Sequence, residues 1–400
     1  MCLLVRMRKR SLVISALFAA SSIGGFLACS SSSDKTSPST DAGTDSGHPA
    51  SDSGGGMDST MGMDSSTGMD SSSTGDTGST GDTGSAEDSG DAGSVGDSAT
   101  DAADGETYGD AGYNTLQFDP TGTGSPDAIY WDNTKQILYI TDDTNNLIWT
   151  YTDANGFQKY VQVPDSPVLD DAGHTKLNGI TELANGTLVV VRFGYGVGGA
   201  IYTVSPDGGT STVPNVPATR KRITATSDPA TGIIYGDSFT GSGTATPGEV
   251  EIVSLTNGPT AYATGFGKTV GLLVQGSAVL VSDETNNAIL AIPTDPTKIA
   301  DGGASLVDGA AFPIYATIGS PDQLSAGPNG TIYTDQFQAT TDGGGVQVRQ
   351  IAPDGGVTVL FPTVQFTSLD DVAYDATNHR LFVVDNNGTT VRTIKVFPVQ

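Results

Sequence analysis

The stretch that decides the fold is SLDDVAYDATNHRLFVVDNNGTTVRTI, residues 368–394. It starts with a short run after a polar residue, passes through a turn rich in Asn and Asp, and continues with a β-branched run that ends at Asp385. A second turn leads to a third alternating run. Apolar alternation with period two between such turns predicts three consecutive antiparallel strands.

The same pattern recurs five more times along the chain. Three copies are clear: SPDAIYWDNTKQILYITDDTNNLIWTY (125–151), LNGITELANGTLVVVRFGYGVGGAIYTV (177–204) and SPDQLSAGPNGTIYTDQF (320–337). Two are degenerate: RKRITATSDPATGIIYGDSF (220–239) and TVGLLVQGSAVLVSDETNNAILAI (269–292). The strand-end positions are separated by steps of 50, 45, 46, 52 and 50 residues: Asp142, Arg192, Asp237, Asp283, Asp335 and Asp385. This spacing, without sustained helical periodicity, predicts an all-β fold, a six-bladed β-propeller over residues 113–400.

The sixth repeat supplies only three strands before the sequence ends. The segment YNTLQFD, residues 113–119, alternates apolar and polar residues and has no other partner in the repeat register. Propellers cover the edges of their blades. We therefore predict that this segment pairs antiparallel with the strand around Thr390 to Val396 and closes the ring.

The first 28 residues are typical of a secretory signal, because a basic segment precedes the apolar stretch LVISALFAASSIGGF. The four residues that end at Cys29, FLAC, resemble the bacterial lipobox. Residues 1–28 are thus predicted to be a lipoprotein signal peptide, with Cys29 as the lipidated residue that binds the membrane. The alternative is a free thiol in a leader cleaved elsewhere, and translation starts at either Met1 or Met7.

This resemblance implies a lipid-anchored protein of the cell envelope. Ser30 follows the cysteine where an inner-membrane lipoprotein carries Asp, which favours the outer membrane. Residues 29–112 are built mostly of Ser, Gly, Asp, Thr and Ala, with 17 acidic residues and one lysine. Such a composition predicts a disordered tether. Calcium binding by the tether is disfavoured because it lacks the spacing of a calcium-binding loop.

Both cysteines, Cys2 and Cys29, precede the predicted propeller. The propeller therefore has no thiolate metal site, cysteine nucleophile or disulfide. The chain carries a net charge of −27 and lacks basic residues interleaved with aromatic ones, which argues against nucleic-acid binding.

The aspartates that end the second strands precede Asn-rich turns in three repeats, at Asp142, Asp283 and Asp385. A carboxylate at such a position can accept backbone N–H bonds and fix the turn, so we interpret these residues as structural. His379 is likewise expected to be a hairpin residue.

The motifs LNGITELANGTLVVV and SPDQLSAGPNGTIYTD resemble the NHL-repeat and SMP-30/gluconolactonase group of six-bladed propellers. The resemblance implies that residues at the start of each innermost strand face the mouth of the central channel. By alignment these are Asp127, Asn178, Ile223, Val270, Asp322 and Asp370, with Asp371 beside the last.

Because blades five, six and one are neighbours in a closed ring, the aspartates should converge on one half of the mouth. Asp127, Asp322, Asp370 and Asp371 are the candidate ligands of Ca²⁺, which takes oxygen donors. The resemblance implies Ca²⁺ as the cofactor, and the sequence indicates no other cofactor. In this family a metal polarises a lactone carbonyl while an aspartate acts on water or a proton, a role that falls to Asp322. Asparagines of the family are replaced by Ile223 and Val270.

A basic half is expected opposite, from Lys176, Arg220, Lys221, Arg222 and Lys268, with His174 nearby and Arg192 at the next strand end. The candidate ligand-binding residues are Asn178, Arg192, Arg222 and Lys268. The rim aspartates have a structural alternative, which is to bond backbone amides of the innermost strands. Two functions follow: a membrane-anchored propeller that binds a small ligand or protein partner, or a calcium-dependent lactonase or esterase.

Overall fold

The computed structural model describes residues 108, 112–119, 122–164, 176–241, 247–337, 345–386 and 392–399. The chain divides into two units, 1–96 and 97–400, and every described residue belongs to the second. The predicted signal peptide, Cys29, nearly all of the predicted tether and His174 lie outside the described residues. No helix in the described ranges is both long and apolar enough to cross a membrane.

The strands of the described residues form six four-stranded antiparallel sheets, which are the blades of a propeller. A first strand, β1 (Asn114–Gln117), precedes them. Blade 1 contains β2 (Pro126–Asp132), β3 (Ile137–Asp142), β4 (Leu147–Thr152) and β5 (Gly156–Gln162). Blade 2 contains β6 (Leu177–Glu182), β7 (Leu188–Arg192), β8 (Ala200–Val204) and β9 (Thr210–Thr212). Blade 3 contains β10 (Ala225–Ser227), β11 (Ile234–Phe239), β12 (Gly248–Ser254) and β13 (Gly258–Phe266).

The remaining blades follow the same order. Blade 4 contains β14 (Thr269–Gln275), β15 (Ala278–Asp283), β16 (Ala288–Pro293) and β17 (Ile314–Thr317). Blade 5 contains β18 (Pro321–Ala326), β19 (Ile332–Gln336), β20 (Val348–Ile351) and β21 (Val357–Leu360). Blade 6 contains β22 (Leu369–Asp375), β23 (Arg380–Asn386) and β24 (Arg392–Pro398). Within the described ranges, three single-turn 3-10 helices lie in loops, at Gly194–Gly196, Pro296–Lys298 and Pro328–Gly330.

The innermost strands β2, β6, β10, β14, β18 and β22 contact one another in this cyclic order, with β22 returning to β2. They surround a central channel, and the apolar faces of neighbouring blades pack between them. The predicted six-bladed β-propeller is thus confirmed. The alternation of apolar and polar residues explains why each repeat forms strands, since it gives a blade two faces to bury against its neighbours.

The ring closes through the N-terminal strand, as predicted. β1 pairs antiparallel with β24, so that Asn114 lies opposite Val396 and Leu116 opposite Ile394. Phe118 follows β1, is buried, and packs edge-on against Trp149 of blade 1 at 5.2 Å between ring centroids. The N-terminal segment therefore completes blade 6 and also joins it to blade 1.

The strand-end aspartates tie the second strand of a blade to the segment that enters its first strand. The Oδ1 atom of Asp142 accepts the backbone N–H of Ser125 at 3.1 Å, and it also accepts the N–H groups of Thr144 and Asn145 in the following turn. Asp385 Oδ1 accepts the N–H of Thr367 at 3.0 Å. These bonds confirm the structural interpretation of these residues.

Blades 6 and 1 are also joined by a buried arginine. The Arg380 guanidinium lies over the ring of Trp131, 5.4 Å from its centroid. Its Nε donates to Asp375 at 2.8 Å, and its Nη2 donates to Asp153 at 2.7 Å. The neighbouring His379 lies in the β22–β23 turn with a positive φ of 50°, as expected of a hairpin residue.

Candidate functional site

A cavity of about 180 Å³ opens at the end of the channel where the innermost strands begin. Five of the six aligned positions line it, one from each of blades 1, 2, 3, 5 and 6: Asp127, Asn178, Ile223, Asp322 and Asp370. In blades 1, 2, 5 and 6 the lining residue is the second residue of the innermost strand, which is why the repeat register finds these positions, whereas Ile223 lies two residues before β10. The sixth position, Val270, is buried beside the channel and does not line the cavity.

The acidic side of the cavity comes from blades 5, 6 and 1. Burial raises the pKa of Asp370 to about 7 and holds the pKa of Asp127 and Asp322 well above the ordinary value. Within the described part of the chain, Asp322 Oδ1 and Asp370 Oδ2 have no hydrogen-bond partner. Both atoms are buried, and their residues line the cavity, so a molecule bound there could supply the missing donors once these side chains turn towards it.

Asp335 lies behind Asp322 at the end of the next strand, β19. Its Oδ1 accepts the backbone N–H of Gln323 at 3.1 Å, whereas its Oδ2 has no partner among the described residues. Burial raises the pKa of Asp335 to about 8. The repeat pattern alone assigns Asp335 no role at the mouth, although the sequence that follows it, QFQATT, lacks the paired asparagines that follow Asp142 and Asp283.

Two lysines line the cavity, and both form ion pairs. Lys176 Nζ donates to Asp143 Oδ2 at 2.6 Å, and Lys268 pairs with Glu284. Burial alone would lower the pKa of Lys176, but the carboxylates of Asp127 and Asp143 more than offset it and raise the pKa above its ordinary value. The basic side of the mouth is thus largely neutralised by neighbouring acids.

Two arginines expected at the mouth are buried within the propeller and do not reach the cavity. Arg222 is fully buried, and its Nη2 donates to Glu251 Oε1 at 3.1 Å. Arg192 is also buried, and its Nη2 donates to Asn146 Oδ1 at 2.8 Å. Arg222 directly precedes the cavity residue Ile223, and adjacent extended residues project in opposite directions. Both arginines join secondary structure elements and do not line the cavity.

Asp371 also departs from the expected acidic half. Its Oδ2 accepts the backbone N–H of Ile129 at 2.7 Å, and its Oδ1 accepts the N–H of Val372 at 2.7 Å. It lines a second cavity, of about 330 Å³, formed by the innermost strands. The structural alternative, an aspartate that bonds backbone amides of the innermost strands, therefore describes Asp371.

The donor set does not fit a calcium ion. Ca²⁺ takes six to eight oxygen ligands around its whole surface. Across the described residues, no group of three or more His, Cys, Asp or Glu side chains is arranged to hold a metal. The two aligned positions of blades 3 and 4 carry Ile223 and Val270, which offer no side-chain oxygen. Side-chain oxygens at the aligned positions therefore come from blades 5, 6, 1 and 2 and do not surround the site.

Several solved structures share this architecture. A luciferin-regenerating enzyme is 14% identical with a TM-score of 0.51, over 72% of this chain and 95% of that one. A gluconolactonase from Xanthomonas campestris is 14% identical with a TM-score of 0.52, over 72% and 90%. Regucalcin from Agrobacterium tumefaciens, a calcium-binding protein, is 11% identical with a TM-score of 0.50, over 72% and 97%.

The chain has the fold of these six-bladed propellers. The resemblance found in the sequence motifs is thus confirmed at the level of fold. No protein-family model matches the sequence, and no curated protein matches it. At 11 to 14% identity the similarity shows the fold alone, so the activity has to be argued from the site itself.

Proposed function

We propose that this protein is a lipid-anchored propeller of the cell envelope that binds a small molecule at its channel mouth. The observation that carries the proposal is the Asp322 carboxyl, which lines the cavity, is 9% exposed and has an oxygen without a partner among the described residues. Leaving a buried acceptor unsatisfied costs about 1–3 kcal/mol, and one that lines an open cavity calls for a partner that enters the cavity. A ligand that donates to Asp322 would recover this free energy.

The dimensions of the cavity favour a small ligand over a protein segment. Pockets for drug-sized ligands measure about 300–1,000 Å³, whereas this mouth measures about 180 Å³. Its walls combine polar groups with Phe193, Ile223 and Phe337. This mixture of apolar surface and a few convergent polar groups is typical of small-molecule sites.

The anchoring part of the proposal rests on the sequence. The lipobox-like segment that ends at Cys29 would attach the protein to the membrane, with the outer membrane favoured, and the acidic segment to residue 112 would hold the propeller away from the surface. The membrane and a small molecule are then the partners.

The binding proposal is tested by titrating the full chain with glucose, glucono-1,5-lactone and n-butylammonium, each followed by isothermal calorimetry. We expect at least one probe to bind, and Asp322→Leu to weaken it about tenfold or more. Asp301→Asn is the control, because Asp301 is exposed in the β16–β17 loop and does not line the cavity. Binding that is unaffected by Asp322→Leu would contradict the site.

A second candidate function is hydrolysis of a lactone or related ester. The specific observation is again Asp322, because burial raises its pKa and a carboxyl that keeps its proton can act as a general acid. One of the fold neighbours is named a gluconolactonase. This candidate reaction is proposed without a metal ion, since the oxygen donors of the site do not surround one.

The test measures the hydrolysis of glucono-1,5-lactone through the release of acid. The rate is compared with the uncatalysed background, with and without chelator. Asp322→Asn should abolish the excess rate, while Asp301→Asn should retain it. A wild-type rate equal to background removes this candidate and leaves the binding proposal untouched.

A further inference from the structure

We propose that the ligand of the channel mouth is a small organic ammonium ion that carries an apolar substituent. This inference rests on the proposed binding function and names the chemical class of its ligand. It follows from the charge balance of the cavity, from the positions of its unpartnered acceptors and from the one-sided distribution of its polar groups.

The charge balance favours a cation. Among the described lining residues, four carboxyl groups face two ammonium groups: Asp127, Asp143, Asp322 and Asp370 against Lys176 and Lys268. Both lysines already pair with an acid, Lys176 with Asp143 and Lys268 with Glu284. An anionic ligand would have to compete for those lysines against carboxylates held beside them, whereas a cation meets three further aspartates and its charge favours their ionised form.

The unpartnered acceptors match the donors of an ammonium group. Asp322 Oδ1 and Asp370 Oδ2 lack partners in the described ranges, and Asp322 is more than nine-tenths buried. Together with Asp127 they come from three consecutive blades, 5, 6 and 1. A primary ammonium carries three N–H donors and no acceptor. Its hydrogen bonds to carboxylates would be charge-assisted and about twice as strong as neutral ones.

The opposite wall explains why an organic ion fits better than a metal ion. Ile223 of blade 3 and Phe193 of blade 2 line this side, where Ile223 offers no side-chain oxygen, and Phe337 adds a further ring from blade 5. An ammonium needs acceptors on one side only and can place its carbon chain against this apolar wall. Lysine ammonium groups already lie near both rings, Lys221 at 5.5 Å from Phe193 and Lys268 at 5.6 Å from Phe337.

The volume of the cavity sets the size of the ion. It holds on the order of six water-sized groups at about 30 Å³ each. A primary amine of four carbons has five non-hydrogen atoms and falls within this limit.

The test measures binding of four probes to the full chain at about 0.1 M salt, where distant surface charges are screened. n-Butylammonium has both the positive charge and the apolar chain of the proposed ligand. 1-Butanol has the chain without the charge, methylammonium has the charge without the chain, and butyrate has a chain with a negative charge. We expect n-butylammonium to bind about tenfold or more tightly than each of the others. Asp322→Asn and Asp370→Asn should each remove this preference, while the exposed Asp301→Asn should preserve it.

The apolar wall is tested separately. Ile223→Ser should reduce the preference for n-butylammonium over methylammonium and leave methylammonium binding unchanged. Thermal unfolding of every variant identifies any that fail to fold, and the two acidic variants lie in different blades, so either suffices. Each variant is also titrated with Ca²⁺ and with glucose.

The outcomes separate this inference from the proposed function. If 1-butanol or glucose binds as tightly as n-butylammonium and loses affinity in Asp322→Asn, the ligand class is wrong and the mouth remains a binding site. Asp322-dependent binding of Ca²⁺ that exceeds that of n-butylammonium overturns the inference in favour of a metal. If none of these probes binds at the mouth, the proposed function and the inference both fail.

Discussion

Asp237 should make the stability of the propeller fall as the pH rises, and Asp237→Asn should remove that part of the pH dependence. Its carboxyl is wholly buried in blade 3, where Oδ1 accepts the N–H groups of Ile223 and Thr224 at 2.9 and 2.8 Å. Oδ2 has no partner in the described part of the chain. An amide at this position keeps both backbone bonds and carries no ionisable group.

The magnitude follows from the pKa difference between the folded and unfolded states. Burial raises the pKa of Asp237 to about 7, against about 3.9 in an unfolded chain. Between these values the folded protein keeps a proton that the unfolded chain releases, so the free energy of unfolding falls with rising pH and levels off above 7. Three pKa units correspond to about 4 kcal/mol.

The assay is urea unfolding followed by tryptophan fluorescence between pH 4 and pH 8, in wild type and Asp237→Asn. The difference between the two free energies of unfolding should grow by about 4 kcal/mol in favour of the variant across this range. Other buried acids titrate equally in both proteins and cancel. Curves that stay parallel over the whole range would refute the reasoning.

Asp283→Asn is the matched control, because Asp283 occupies the position in the second strand of blade 4 that aligns with Asp237 of blade 3. Both of its oxygens accept hydrogen bonds, Oδ2 from the Gly267 N–H at 2.9 Å and Oδ1 from the Asn286 N–H at 3.2 Å. An amide nitrogen there would face a donor. We expect a loss of about 1–3 kcal/mol in stability rather than a gain.

Three further predictions concern closure, blade contacts and anchoring. Deleting residues 1–119 should lower the melting temperature by about 5 °C or more and promote aggregation, because it removes β1 and the buried Phe118, whereas deleting residues 1–111 should not; equal melting of both truncations would contradict the closure. Arg380→Met should cost about 3–5 kcal/mol in chemical unfolding, because it leaves the buried Asp375 carboxyl without its cation; an unchanged midpoint would show that the pair is dispensable. Cys29→Ser should abolish metabolic labelling with a fatty acid, and a mutant that is still labelled would exclude this residue as the lipidation site.

The fold was predictable because its determinants are local and repeated. Each blade carries period-two alternation and a polar turn within about 50 residues, and five of the six second strands carry an aspartate at or near their end. Closure was predictable for a related reason, since residues 113–119 were an alternating segment left without a partner. In both cases short-range patterns determine which backbone groups must pair.

The site was predictable only in part, because its geometry depends on single-residue differences in orientation. The repeat register placed Asp127, Asn178, Asp322 and Asp370 correctly at the mouth. It could not show that Asp371, one residue further along β22, would bond the N–H of Ile129 instead. Nor could it show that Arg222 would be buried in an ion pair with Glu251, which lies on another strand of the same blade. Such pairings are long-range and leave no periodic trace.

Because the six blades repeat the same structure, the positions at which one blade differs from the others indicate most clearly where function lies. In blades 1, 4 and 6, both oxygens of the strand-end aspartate have partners, and the residue is accounted for by structure alone. In blades 3 and 5 the asparagine turn is absent, and one oxygen of the aspartate, Asp237 or Asp335, has no partner among the described residues. The aligned residue of the innermost strand is Ile223 in blade 3, whereas in blade 5 it is Asp322, an acid that lines the cavity and has an unpartnered oxygen of its own. A fold that satisfies the same group in three blades has no structural need to leave two adjacent acids unsatisfied in one, so the chemistry of the mouth is to be sought in blade 5.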